Sequence, residues 1–186
     1  MIQPWPVQHS KFLGNFRVFN LHAETKTSPL DGREHEFIVL QCPDWVNVVA
    51  VTPDDQILLV EQFRHGSKTI EWEIPGGVMD PSDSSPLAAG LRELREETGY
   101  EGEQARIIGQ VFPNPAIMTN TCHTILVERC HPRHPTRFDP CEDLRTHLVP
   151  VAEIPALVAA GRIRHSLVVA ALFHYELYRR GQAGPH

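Results

Sequence analysis

The sequence predicts an α/β protein, with a central β-sheet carrying helices and an antiparallel β segment ahead of it at the N-terminus. Three observations predict this class. Residues 45–52 (WVNVVAVT) and 56–64 (QILLVEQFR) are short β-branched runs joined by the turn residues Pro53, Asp54 and Asp55. Residues 86–98 lie between a Ser-Pro start and a glycine stop, the pattern of a capped helix. Upstream, residues 16–24 (FRVFNLHAE) and 34–40 (EHEFIVL) are strand-like and separated by the turn-forming SPLDGR.

In chain order, the two upstream runs predict a hairpin or small meander, and the runs at 45–52 and 56–64 predict a second strand pair that opens the central sheet. Ser85 suits an N-cap and Pro86 the first helical position, with Gly99 as the C-terminal stop. Leu87, Leu91 and Leu94 supply that helix with an apolar stripe. Gly90 costs about 1 kcal/mol in a helix interior relative to alanine, so either close packing or simple tolerance accounts for it. Strands are expected near 105–112, 123–129 and 145–151, separated by the proline-rich stretches 112–120 and 131–143, which read as functional loops. Two helices close the chain, one at 154–160 and one from Ser166 with Val168, Val169, Leu172 and Phe173 on its apolar face. The expected organisation is an N-terminal β segment over 1–42, a main domain over 43–180 and a mobile tail over 181–186.

Composition narrows the function. The 186 residues suit one main domain, and the net charge of −6 is spread along the chain, which argues against a nucleic-acid arm or a polybasic membrane anchor. No apolar run approaches the roughly 20 residues of a membrane span. The start, MIQPWPVQHSKF, lacks the pattern of a secretory leader. A cytoplasmic protein with small-molecule or protein partners is expected. Cys42, Cys122, Cys130 and Cys141 have no CxxC spacing and are expected as free thiols. The pairs Cys122/His123 and Cys130/His131 invite a zinc reading, but strand alternation sends such neighbours to opposite faces.

The chemistry concentrates in Glu93, Glu96 and Glu97, at helical spacing i, i+3, i+4. Carboxylates this close repel, and a divalent cation between them would hold all three ionised. Alone, the run ELREE reads equally as a solvated acidic helix face with Arg92 and Arg95 as ion-pair partners. The turn Pro75-Gly76-Gly77 in front of it shifts the balance. Glycines there let the backbone approach a ligand or offer a carbonyl to a metal. Hard oxygen donors beside such a turn suit magnesium, and through it phosphate-ester or pyrophosphate chemistry.

Residues 77–100 resemble the Nudix box, G-x5-E-x7-R-E-U-x-E-E-x-G-U with U bulky and apolar. RELREETGY matches its end without a gap, while the first half departs. Counting forward from Gly77 places Asp83 where the first glutamate belongs, and counting back from Arg92 reaches Ser84, so the loop carries one extra residue. Asp83 is the substitute for a glutamate that in relatives helps fix the loop and Arg92. The resemblance implies a Nudix-type α/β/α sandwich with a central mixed sheet. It implies hydrolysis of a nucleoside diphosphate linked to another group, with Mg2+ or Mn2+ held by Glu93, Glu96, Glu97 and the Gly76 carbonyl. Glu96 and Arg92 count among the catalytic candidates.

Over about residues 31–177 the chain further resembles the ADP-ribose pyrophosphatase branch. Arg64 stands in LLVEQFRHG where relatives contact phosphate, and Pro115 lies fifteen positions beyond Tyr100, a spacing associated with ADP-ribose hydrolysis. Arg64 is otherwise a surface ion-pair residue and Pro115 a shaper of its loop. In FDPCEDLRTH, Glu142 is the candidate base, with Asp143 second; the alternative is a polar turn before a strand. Trp45 can stack on adenine, or serve the core or a dimer contact. The resemblance also implies a homodimer through the N-terminal segment. ADP-ribose leads as substrate, GDP-mannose or another sugar nucleotide is the close alternative, and a non-catalytic nucleotide-binding module is the second class.

Overall fold

The computed structural model describes residues 1–138, 140 and 142–182, so Cys141 and the end of the expected tail, 183–186, lie outside the described residues. The chain divides into two compact units: 1–44 with 112–121, and 45–111 with 122–186.

The first unit is an antiparallel meander of β1 (Val7–Asn15), β2 (Asn20–Thr27) and β3 (Glu34–Gln41), in that order. β1 was not expected from the sequence. The expected run 16–24 is a turn followed by β2: Phe16 and Phe19 stack at 5.3 Å, and the Phe16 N–H donates to the Phe19 carbonyl. Residues 112–121 complete the unit by bonding to the end of β3, the Leu40 N–H to Ile117 O at 2.7 Å and the Thr119 N–H to Leu40 O at 3.1 Å.

The second unit holds two sheets. β4 (Trp45–Ala50), β7 (Gly76–Val78), β9 (Gln104–Val111) and β10 (Cys122–Glu128) form a mixed sheet in the order β7-β4-β10-β9, parallel only between β4 and β10. β5 (Gln56–Arg64), β6 (Thr69–Glu73) and β12 (Leu144–Pro150) form an antiparallel sheet in the order β12-β5-β6. The expected pairing of residues 45–52 with 56–64 is thus corrected: a single bridge, Val51 to Ile57, survives before the strands part into different sheets. The short β8 (Tyr100–Glu101) and β11 (His131–Pro132) pair with each other.

Side-chain alternation sorts this unit into two cores. Val46, Val48, Ala50, Leu58, Ile125 and Val127 pack with Ala89 and Leu94 of α1 (Pro86–Thr98). Val49, Val51, Ile57, Leu59 and Leu126 point the other way, against Val168, Ala171, Leu172 and Tyr175 of α3 (Ser166–Arg179) and Ile154 of α2 (Ile154–Ala159). Helices thus cover strands from both sides, an α/β/α arrangement. On α3 the buried stripe is i, i+3, i+4, i+7 from Val168. Phe173, expected on that face, is instead 62% exposed, because at i+5 it lies off the stripe.

On α1 the expected caps are present. Ser85 Oγ accepts from the Ala88 N–H at 3.1 Å, and Gly99, at φ 73°, donates to Arg95 O. Leu94 is fully buried and Leu87 and Leu91 pack partly against it. Close packing accounts for Gly90, since a Cβ there would collide with Ile125 and press on Val48. Among the described residues no helix is long and apolar enough to cross a membrane.

Candidate active site

The site grows from α1 and the loop before it. The helix turns its buried edge, Ala89, Gly90, Leu94, Glu97 and Thr98, to the mixed sheet, which carries the Glu97 carboxylate down to β7. There Oε2 of Glu97 accepts the Gly76 N–H at 3.0 Å. Gly77, next along β7, lies so close to Glu93 that any Cβ would strike its carboxylate. At Gly76 a Cβ would run into the Val46 backbone carbonyl, so the fold itself demands glycine there, a packing reason different from the ligand approach expected from the sequence.

Arg92 gathers the loop and two of the glutamates. Its Nε and Nη2 donate to the two Asp83 oxygens at 3.1 and 2.9 Å, and Nη2 also reaches Val78 O. Nη1 donates to Glu93 and to Glu96, each at 3.0 Å. Asp83 also accepts the Asp80 N–H at 2.8 Å, so one carboxylate ties the loop to itself and to the helix. The extra loop residue leaves Asp83 in contact with Arg92.

The electrostatics are those of crowded, desolvated carboxylates. Burial pushes the Glu93 carboxyl up to about 7; Arg92 works against this, while Glu142 and Glu96 add to it. Glu97 is raised well above the usual carboxylate range, first by burial and next by the charge on Glu93, against the opposing Gly76 N–H. Asp83 is held low by its bonds to Arg92.

Arg64, at the end of β5, pairs bidentately with the buried Glu73 of β6, both contacts at 2.7 Å. That bond raises the guanidinium's pKa, and the charges of Glu97 and Glu142 raise it further. Glu142 is exposed, and its charge is felt by Glu93, Glu97 and Arg64. Glu142 stands two residues before β12, whose first residue, Leu144, pairs with Gln62, two residues short of Arg64. Asp143 is exposed on the neighbouring position.

Trp45 is half-buried at the start of β4, between Val78 and Cys122. Pro115 belongs to the first unit, in a turn where the Ile117 and Met118 N–H groups both donate to Asn114 O. Sequence reasoning missed Glu73. Its signal was the alternation Glu71-Trp72-Glu73 in TIEWE, two acidic residues on one strand face, both buried. Glu71 accepts from Arg164, and Trp72 stacks on His147 at 4.6 Å and donates to Glu61. Cys42, Cys122 and Cys130 are free thiols, and burial pushes Cys130 up to about 12.

The donor chemistry fits a hard divalent cation. Glu93, Glu96, Glu97 and the Gly76 peptide offer only oxygen, and two of the carboxylates sit where ionisation is disfavoured without a counter-charge. Among the described residues, no three His, Cys, Asp or Glu side chains form a ready-made ion cage. Arg92 bridges Glu93 and Glu96, while Glu97 turns to Gly76.

The pattern of the NUDIX domain matches residues 43–172, and the chain belongs to that family. An ADP-ribose pyrophosphatase of Bacillus subtilis (strain 168) is 31% identical over 112 residues, covering 60% of this chain and 60% of that protein. A methanol dehydrogenase activator of Bacillus methanolicus is 32% identical over 107 residues, covering 58% and 57%. The chain thus spans about three fifths of the length of these curated relatives. The solved structure of an ADP compounds hydrolase superposes with a TM-score of 0.85 at 20% identity, covering 98% of this chain and 97% of that one, a likeness of fold.

Proposed function

We propose that the chain is a pyrophosphohydrolase that cleaves a nucleoside diphosphate sugar, ADP-ribose first, into AMP and ribose 5-phosphate with a divalent cation bound. The observation that carries this reading is that Glu97, bonded to the Gly76 N–H beside the Arg92-bridged Glu93 and Glu96, also feels the charges of Glu142 and Arg64. Hydrolysis adds one water across the P–O–P bridge, hydroxyl to the attacked phosphorus and proton to the departing oxygen.

Glu93, Glu96, Glu97 and the Gly76 carbonyl would hold the cation. When bound, Mg2+ or Mn2+ supplies charge against the phosphate oxygens and acidifies water. Arg64 binds phosphate: Glu73 takes its Nε N–H and one Nη2 N–H, which leaves the Nη1 N–H groups and the second Nη2 N–H as donors. Glu142 takes the proton of the attacking water, with Asp143 second; its exposure and its charge effect on Glu93 and Glu97 support this role. Arg92 is a positioning residue acting through Glu93 and Glu96. Trp45 is offered as a stacking surface for the base, and Pro115 as a shaper of substrate contact. A cytoplasmic homodimer completes the reading, supported by the free thiols and by exposed apolar side chains on the N-terminal sheet.

The test compares kcat/KM for ADP-ribose, ADP-glucose, GDP-mannose, NADH, diadenosine polyphosphates and oxidised dNTPs, with and without EDTA. ADP-ribose should lead by at least about tenfold, a gap of about 1.4 kcal/mol in transition-state binding, with turnover lost in chelator. A lead for GDP-mannose would move the substrate, and cleavage of none would leave a nucleotide-binding module.

A further inference from the structure

A groove of about 600 Å3 runs along the outward face of α1, between the helix and residues 134–137. Its floor is apolar, with Ala88 and Leu91 on the helix and Pro135 opposite. Its walls bring arginine side chains in from both sides. Arg92 and Arg95 line it from α1, and His134 and Arg137 from the facing segment. Among the described lining residues the only carboxylate is Glu96, bonded to Arg92 at 3.0 Å, and Arg92 also pairs with Asp83 and Glu93. His134 is bonded to Glu101 at 2.8 Å. Among the described residues no carboxylate lies within ion-pair distance of the Arg95 or Arg137 guanidinium.

The facing segment is fixed by backbone bonds. The Arg137 N–H donates to Glu96 O at 2.7 Å, and the Arg133 and His134 N–H groups donate to Gly99 O at 2.9 and 3.0 Å. The fold therefore brings the Arg95 and Arg137 guanidiniums into one hollow of a chain of net charge −6. Like charges gathered in a hollow repel, and a bound anion offsets that cost. Guanidinium forks match phosphate oxygens in geometry as well as charge. The volume suits a small organic ligand, and the apolar floor suits an anion that carries a sugar or nucleoside.

We propose that this groove is a phosphate-monoester site, with Arg95 and Arg137 on the phosphate and Ala88, Leu91 and Pro135 under the group attached to it. The site itself stands on the groove alone; only the identification of its ligand as a reaction product rests on the hydrolase reading. Both halves released by that reaction are phosphate monoesters.

Calorimetry on the EDTA-treated full chain tests it, with AMP, ribose 5-phosphate and inorganic phosphate as ligands and adenosine and ribose as uncharged controls. At least one phosphate compound should bind the wild type, and adenosine and ribose should not. Affinity should fall about tenfold or more in Arg95→Ala/Arg137→Ala and be partly kept in Arg95→Lys/Arg137→Lys. Equal affinity in wild type and the alanine variant, or adenosine binding as well as AMP, overturns the site. Partial retention in the lysine variant, with the melting temperature unchanged in both, assigns the alanine loss to the two side-chain charges rather than to misfolding, and a lysine variant as weak as the alanine one overturns that assignment. AMP or ribose 5-phosphate binding tenfold tighter than inorganic phosphate identifies a product as ligand; similar binding of all three identifies a general phosphate effector. Because no metal or turnover is involved, a chain that binds phosphate but cleaves nothing keeps this site and loses the hydrolase reading, and the reverse outcome separates them equally.

Discussion

Glu97 is asked to do two things that conflict. Its carboxylate is 3% exposed and receives one peptide N–H, while burial and Glu93 both disfavour its charge. The proposed chemistry needs that charge. Glu97→Gln keeps the shape and can still accept from Gly76, so it should separate the two demands. Turnover should fall by roughly a hundredfold or more, the scale of losing one preorganised electrostatic contact. The metal-free protein should become more stable, by a few degrees in Tm. The sign follows from linkage. A carboxyl whose folded pKa lies above its unfolded value of 4.5 contributes stability below that value and loses it as pH rises through the folded one. The gain from Gln should therefore be larger at pH 8 than at pH 5, read from paired thermal melts. A variant less stable than wild type at both pH values would show that the carboxylate contributes more as a hydrogen-bond acceptor than it costs as a buried charge. These residues were legible in the sequence because their chemistry is local, three carboxylates and two glycines within 22 positions. Glu73 was not, because its role depends on Arg64 reaching it from the neighbouring strand.

At the scale of elements, α1 was legible to the residue, since its N-cap, first-turn proline and glycine stop are all side-chain signals. The strands were less so. β1 is exposed along nearly its whole length and shows no apolar alternation. β6 alternates with its acidic residues inward and thus hides the usual pattern. The parting of β4 from β5 was invisible because each strand is buried on both faces, and such runs do not name their partners. Gly90, ambiguous in sequence, gives a test of how tightly α1 sits. A side chain there meets Ile125 and Val48, both fully buried with little room to move. Gly90→Val should destabilise the fold by about 1–3 kcal/mol, the cost of overpacking a filled core. Urea unfolding measures it, and a variant as stable as wild type would show that α1 can shift outward without cost.

At the scale of the whole molecule, the N-terminal sheet is the part whose residues least match a monomer's surface. On one of its faces Phe12 is 57% exposed and Phe37 40%, on β1 and β3, flanking His22 and Glu24 of β2. Leu13 and Ile38 are similarly open on the other face. A three-stranded sheet draws its stability from a hydrophobic face, and exposed aromatic side chains on such a face give an interaction surface apolar area to bury. The sequence suggested a dimer only through family resemblance; the exposure gives it a physical basis in this chain. A second copy has the same apolar residues to bury, and a twofold contact lets each copy cover the other. Light scattering should then give a mass of about 42 kDa, twice the chain's 21.0 kDa, unchanged on dilution through the micromolar range. Phe12→Asp/Phe37→Asp places charges where apolar area is to be buried, and an unpaired charge in an interface costs several kcal/mol. That variant should run as a 21.0 kDa species. A wild type that is already monomeric at all concentrations refutes the dimer, and an undiminished mass in the double variant places any interface elsewhere.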